Sequence, residues 1–175
     1  GGREPYPAVA GDGAQGVGHQ VVSNRQRLVA RGVPDTQRAA GPDVERDLDW
    51  SVSMQVNNRR RSELVEVLGG MDGGHLLVSP GFTQGLPHDE YARLLARTKV
   101  VPCAAGKFTP DVFRLFEALE AGCIPVGDAY CYSWQSRTYY DYLFGETPPF
   151  PICEDWRSFP GLLLELLDGW QEKAN

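Results

Sequence analysis

No C-x-x-C pair occurs in this sequence, and its three histidines, His19, His75 and His88, are not spaced like zinc ligands. No metal site is expected on that basis. Basic excess is also missing. Seventeen Lys and Arg stand against 23 Asp and Glu, and the net charge of −6 argues against a general nucleic-acid or membrane-surface binder. No apolar run approaches the roughly 20 residues of a bilayer span, and nothing near the start resembles a signal peptide. G-x-x-x-x-G-K-[ST] is absent, and the loop around Gly106 is not the G-x-G-x-x-G fingerprint, so that loop is neither of two common phosphate loops. The chain begins at Gly1 rather than Met, and we expect it to be a fragment.

What is present fits one folded domain. A length of 175 residues, 42% hydrophobic and 23% charged, is ordinary for a globular unit. The four cysteines, Cys103, Cys123, Cys131 and Cys153, are read as buried thiols in a packed core. A disulfide is the next possibility, with Cys123 and Cys131 the closest in sequence.

The hydrophobicity is unevenly spread. Residues 1–47 hold eight glycines, four prolines and one aromatic, and Leu, Ile, Val and Phe fill only eight of the 47 positions. That is too little apolar surface to offset the entropy of ordering the chain. We expect a linker, a disordered tail or a remnant there, and a domain over 48–175.

From Leu48 the pattern alternates. "DWSVSMQV" reads as a strand, and "RRRSELVEVLGG" as a helix ended by glycine. "HLLVS" (75–79) and "KVVPC" (99–103) are short apolar strands on either side of the helical "HDEYARLLART". "CIPV" follows another helix, and "PFPIC" precedes a leucine-rich one. Strand and helix recurring about every 25 residues predict a Rossmann-like α/β fold, a parallel sheet with helices on both faces. Ligands of such sheets bind outside the carboxyl ends of the strands, which points to the loops after Ser79, Cys103 and Val126.

"AAGKFTPDVFRLFEALEAGCIPV" holds the densest chemistry. Thr109 suits an N-cap, Pro110 the first helical position and Asp111 the positive helix end. Gly106 would let backbone approach a ligand closely, and Lys107 adds a charge suited to phosphate. Phe113, Phe116 and Leu119 are expected to form the helix's apolar face, and Gly122 its C′ residue. Arg114 and Glu117 stand three residues apart. By spacing alone they are a surface pair contributing about 0.2–0.5 kcal/mol. At the mouth of a sheet, however, arginine suits a diphosphate and a carboxylate suits a pair of ribose hydroxyls.

This stretch, with "PPFPICEDWRSFP" downstream, resembles the C-terminal, nucleotide-sugar-binding half of GT-B glycosyltransferases. It is most like the exostosin family and the related ribitol-phosphate xylosyltransferase domain. The shared pattern is a cysteine–proline–glycine loop, R-x-x-E-A on the next helix, G-C/S-I-P-V, then Pro-Phe and a tryptophan-containing turn; it covers roughly residues 50–170. The resemblance implies that Glu117 holds the ribose and Arg114 the diphosphate of a sugar nucleotide, with the loop Gly106, Lys107, Phe108 and Thr109 beside them. It implies a metal-independent donor site with no cofactor, a nucleoside-diphosphate (UDP-linked) sugar as donor, and a glycan, glycoprotein or other hydroxyl acceptor. The implied reaction is inverting transfer, its base supplied by an N-terminal Rossmann half that residues 1–47 are too short to replace. A Golgi-lumenal location through an upstream anchor follows, with a cytoplasmic one as the alternative. Two departures stand out: "SVSMQVNN" offers Met54 and Gln55 where the family commonly has a glycine, and C-A-A-G replaces C-P-x-G.

Further candidates flank these. Asn57 and Arg59, in the basic run "NNRRR", are possible phosphate contacts, with a solvated helix face as the alternative. Thr83 lies in "GFTQGLPHDEY", a loop expected to border the base. Tyr130 opens an aromatic segment suited to stacking, although packing beneath a long loop is the simpler expectation. His88 is read as a solvent-exposed loop histidine, and Glu154 and Asp155 as turn formers. The rival functions are an inactive nucleotide-sugar-binding module and an unrelated Rossmann-like, phosphate-dependent regulator.

Overall fold

The computed structural model describes residues 45–81, 83–110, 112–131, 136–145 and 147–170. In chain order the elements are β1 (Leu48–Gln55), α1 (Arg59–Leu68), β2 (Gly74–Ser79), α2 (His88–Ala96) and β3 (Thr98–Cys103). Then come α3 (Phe113–Glu120), β4 (Ile124–Asp128), α4 (Ser136–Phe144), β5 (Ile152–Cys153), a 3₁₀ turn (Trp156–Ser158) and α5 (Phe159–Asp168). All strand pairings are parallel, in the order β2-β1-β3-β4-β5. This is the Rossmann-like α/β sheet read from the sequence.

Alternation along the strands divides the core into two layers. Trp50, Val52 and Met54 of β1, Val100 of β3 and Ile124 and Val126 of β4 pack on one face, beneath Leu64 and Leu68 of α1 and Phe159, Leu163 and Leu166 of α5. Val101, Cys103 and Cys123 face the other way, against Leu95 of α2, Leu115 and Ala118 of α3, Tyr140 of α4 and Phe150. Helices therefore cover both faces. Each fully buried leucine or phenylalanine contributes roughly 1.5–3 kcal/mol.

Local chemistry explains several boundaries. Asn58 caps α1 by accepting the Arg61 N–H at 3.0 Å. At the end of α3 the Gly122 N–H donates to Leu119 O at 3.1 Å and the Cys123 N–H to Ala118 O at 2.9 Å. Gly122 has φ of 72°, so the expected C′ glycine is in place. Pro125 lies inside β4 without disrupting pairing. Gly127 and Ala129 donate toward the β5 side, to Pro151 O and Cys153 O, each at 2.9 Å. Two-residue periodicity aims the Pro125 nitrogen the same way, ahead of the point where β5 begins.

Three expectations are corrected. Thr109 does not cap α3; the helix starts at Phe113, with extended Val112 at its N-cap and no side-chain cap bond. The chain first closes a turn in which the Gly106 N–H donates to Thr109 O at 2.9 Å, so helical geometry begins later. Asp111 lies outside the described residues. The apolar face of α3 is also different. Leu115 and Ala118 are buried, Phe116 and Leu119 pack partly against the core, and Phe113 is exposed. Phe113 lies about 200° around the helix from Leu115, which removes it from that face. Third, the aromatic segment is not simply a loop. Residues 136–144 form α4, ended by Gly145 at φ 82°. Tyr140 and Phe144 meet Phe150 edge to face, each with centroids 5.3 Å apart. Tyr132 and Trp134 lie outside the described residues.

The four cysteines are buried thiols and none forms a disulfide, so the Cys123–Cys131 alternative is overturned. Arg46, just before β1, bonds Leu95 O at 2.9 Å, Thr98 O and Ala121 O, and lies 5.7 Å from the Trp170 ring. Among the described residues no helix is long and apolar enough to cross a membrane.

Candidate functional site

The chain leaves β1 for β2 on one side and returns to β3 on the other, so the strand order reverses between β1 and β3. Crevices form at such points, outside the carboxyl ends of the strands. A cavity of about 380 Å³ occupies this position. Ser53, Met54 and Gln55 of β1 and Ser79 of β2 line its floor. Arg61 of α1, Tyr91 of α2 and Phe113, Arg114 and Glu117 of α3 surround it.

Two guanidinium groups dominate its chemistry. Arg114 Nη2 donates to Ser53 O at 2.7 Å. Its Nε and Nη1 are buried with no protein acceptor. Arg61 Nη1 donates to Gln55 O at 2.9 Å and Nε to Ala105 O at 3.1 Å. Burial, helped by repulsion from Arg114, lowers the Arg61 pKa to about 10. The two cations are thus close enough to feel each other in a partly dry cleft.

Glu117 supplies the one carboxylate among the described lining residues. None of the ion pairs there joins it to Arg114 within 4.0 Å. Its nearest titratable neighbours include Tyr91, which is partly buried and lines the same cavity. Burial raises the Glu117 pKa, with the Arg114 charge and the neighbouring Tyr91 hydroxyl opposing the rise. Tyr91 is itself held neutral by burial, its pKa pushed well above the usual tyrosine value.

The loop after β3 is clamped from beneath. Ala105 O accepts from Asn58 Nδ2 at 3.0 Å as well as from Arg61, and the Ala105 N–H donates to Asp128 Oδ2 at 3.0 Å. Asp128, fully buried at the end of β4, also accepts the Trp156 indole N–H at 3.1 Å. Its Oδ1 accepts Arg60 Nε at 2.9 Å and Nη2 at 2.6 Å, and the Tyr130 N–H at 3.2 Å. Gly106 then turns so tightly that a Cβ there would lie 3.0 Å from Thr109 O.

Of the residues singled out from sequence, Asn57, Gly106, Arg114 and Glu117 meet around the cavity, and so do Met54 and Gln55. Lys107, Phe108 and Thr109 share the Gly106 loop but are exposed and do not line the cavity; Lys107 Nζ sits 5.3 Å from the Phe108 ring centroid. Arg59 points to solvent, 88% exposed, and pairs with Glu63 at 2.8 Å. Thr83 is exposed, and the 81–91 loop lines the cavity through Gly85 and Leu86 instead. The Tyr130 ring stacks 5.7 Å from the Arg60 guanidinium, outside the cavity. His88 is exposed at the first position of α2, and Asp155 caps the 3₁₀ turn through the Arg157 N–H at 2.9 Å.

Sequence reasoning missed Tyr91 and Asp128, and it named Arg59 where Arg61 reaches the cavity. Asn58 as cap, three residues before Arg61, was the available signal, because it sets the helical phase. Among the described residues no group of three or more His, Cys, Asp or Glu is placed to hold a metal ion. Comparison with protein-family models and with curated proteins gives no match.

Proposed function

We propose that this domain binds a nucleoside-diphosphate sugar in the cleft between β1 and β3 and is the donor half of an inverting glycosyltransferase. One observation carries the reading. Arg114 keeps two buried N–H groups without an acceptor beside a second cation, Arg61. Buried unpaired donors are costly, and charged ones more so, so the cleft favours an anion with several oxygens. A diphosphate meets both guanidiniums, and Glu117, one turn along α3, accepts ribose hydroxyls. The likeness of R-x-x-E-A and G-C-I-P-V to the exostosin pattern supports the same assignment.

In the transfer, an acceptor hydroxyl attacks the anomeric carbon and loses its proton to a base, while the bond to the diphosphate breaks. Arg114 and Arg61 would stabilise the departing diphosphate. Glu117 would orient the donor without reacting. No histidine lines the cavity among the described residues, and its one carboxylate, Glu117, is the group assigned to the ribose. That observation favours a second reading, a binding module without turnover, unless another domain supplies the base.

Calorimetric titration with UDP and GDP tests the site. Binding that falls at least tenfold in Arg114→Ala and in Glu117→Ala, with melting temperature little changed, supports it. An absence of binding to either nucleotide would sink it. Hydrolysis or transfer of the sugar by the full-length protein decides between enzyme and module.

A further inference from the structure

Phe113 is a large aromatic side chain, 56% exposed, at the first position of α3. It belongs to neither core cluster, yet it lines the same cavity as Arg114 and Glu117. Isolated exposed apolar residues are ordinary. This one differs in standing on the wall of a polar, cationic cleft, where its ring is otherwise wetted. Its position relative to Glu117 is fixed, because residues four apart on a helix lie one above the other, with Cβ atoms about 5–6 Å apart. Arg114 stands between them in sequence and lines the same cavity.

We infer that Phe113 is the stacking surface of this site, taking the flat face of a ring carried by the ligand. The inference rests on the nucleotide-sugar reading above and adds the part of the ligand that neither arginine nor glutamate can recognise. A nucleobase and the apolar face of a pyranose share the needed chemistry, a flat surface that packs on an aromatic ring. Phe108 is more exposed still, at 66%, but it lies outside the cavity and the Lys107 ammonium occupies the space over its ring. Helical phase gives Phe113 the role: it leaves the core face of α3 to Leu115 and Ala118 and carries the ring to the cavity wall.

The test is calorimetry on the 175-residue chain with UDP, UDP-glucose and inorganic pyrophosphate, comparing Phe113→Ala, Phe113→Trp and a distant exposed control, Leu164→Ala. Stacking on the base predicts that Phe113→Ala weakens UDP about tenfold, leaves pyrophosphate within twofold, and that tryptophan restores affinity. Stacking on the sugar predicts the tenfold loss for UDP-glucose with UDP unchanged. Equal weakening of pyrophosphate, or no change with any ligand, overturns the inference while the nucleotide site stands. If the unsubstituted chain binds neither UDP nor UDP-glucose, the site reading fails and this inference fails with it. Matching melting curves for the alanine and tryptophan variants exclude a folding defect.

Discussion

Arg60 and Asp128, 68 positions apart, join the start of α1 to the end of β4 through two hydrogen bonds, Nε at 2.9 Å and Nη2 at 2.6 Å, both to Oδ1. The arginine also donates to Glu154 O at 3.0 Å and lies between the rings of Tyr130 and Trp156, at 5.7 and 5.9 Å. The carboxylate is fully buried and completes its shell with the Trp156 indole and the Ala105 and Tyr130 amides. Burial disfavours the Arg60 charge, but the bond and field of Asp128 outweigh it and raise the pKa.

Removing Asp128 should therefore be expensive. Asp128→Ala strands an indole N–H and the Ala105 N–H. It leaves the Arg60 guanidinium with Glu63, at 3.5 Å, as its carboxylate partner, and we expect a loss of about 3 kcal/mol. Urea denaturation measures it. Asp128→Asn keeps the shape and one acceptor oxygen and should fall between alanine and the native residue. A loss below about 1 kcal/mol for alanine would mean that this junction is not structural.

Glu117 makes stability depend on pH in a defined direction. Its pKa is raised above the ordinary 4.5 by burial, so the folded state holds the proton more tightly than the unfolded one. The contribution is fully present below pH 4.5 and is lost as pH rises through the raised value. Glu117→Gln should consequently gain stability relative to the native chain as pH increases from that point toward neutrality. Parallel melting curves across the series check it; an advantage that shrinks with rising pH contradicts the sign.

Thiol chemistry gives a third outcome. Burial pushes Cys103 up to about 12, and Cys123 and Cys153 up to about 11. Cys131 is buried too. Thiolates are the reactive form, so an aromatic disulfide reagent at neutral pH should label none of the four quickly in the folded chain and all four after unfolding. Fewer than four in the unfolded, non-reduced protein would reveal a disulfide.

Much of the architecture was legible because it rests on period and punctuation. Short apolar runs between amphipathic segments fixed the parallel sheet, and Gly122 marked its helix end through a backbone angle that other residues resist. The start of α3 was not legible. Thr109-Pro110 has the composition of a helix start, but the Gly106 turn uses the Thr109 carbonyl first. Nor was α4, since tyrosines favour strands locally and only Tyr140 and Leu143 packing into the core decides for helix. In the site, Arg114 and Glu117 stood out by spacing, whereas Asp128 and Tyr91 depend on neighbours far away in sequence. An aspartate ending a strand reveals nothing until α1 crosses it.

The carbonyl anchors on the two cavity arginines bear on how an occupant would arrive. Arg61 is moored to Gln55 and Ala105, and Arg114 to Ser53, before anything enters. The rotamer freedom of such long side chains, worth roughly 0.5–1.5 kcal/mol each on immobilisation, has been surrendered during folding. An anion entering the cleft therefore meets a fixed template, and its capture should follow single-step kinetics whose rate rises linearly with concentration, falls with added salt and shows no plateau from a slow rearrangement.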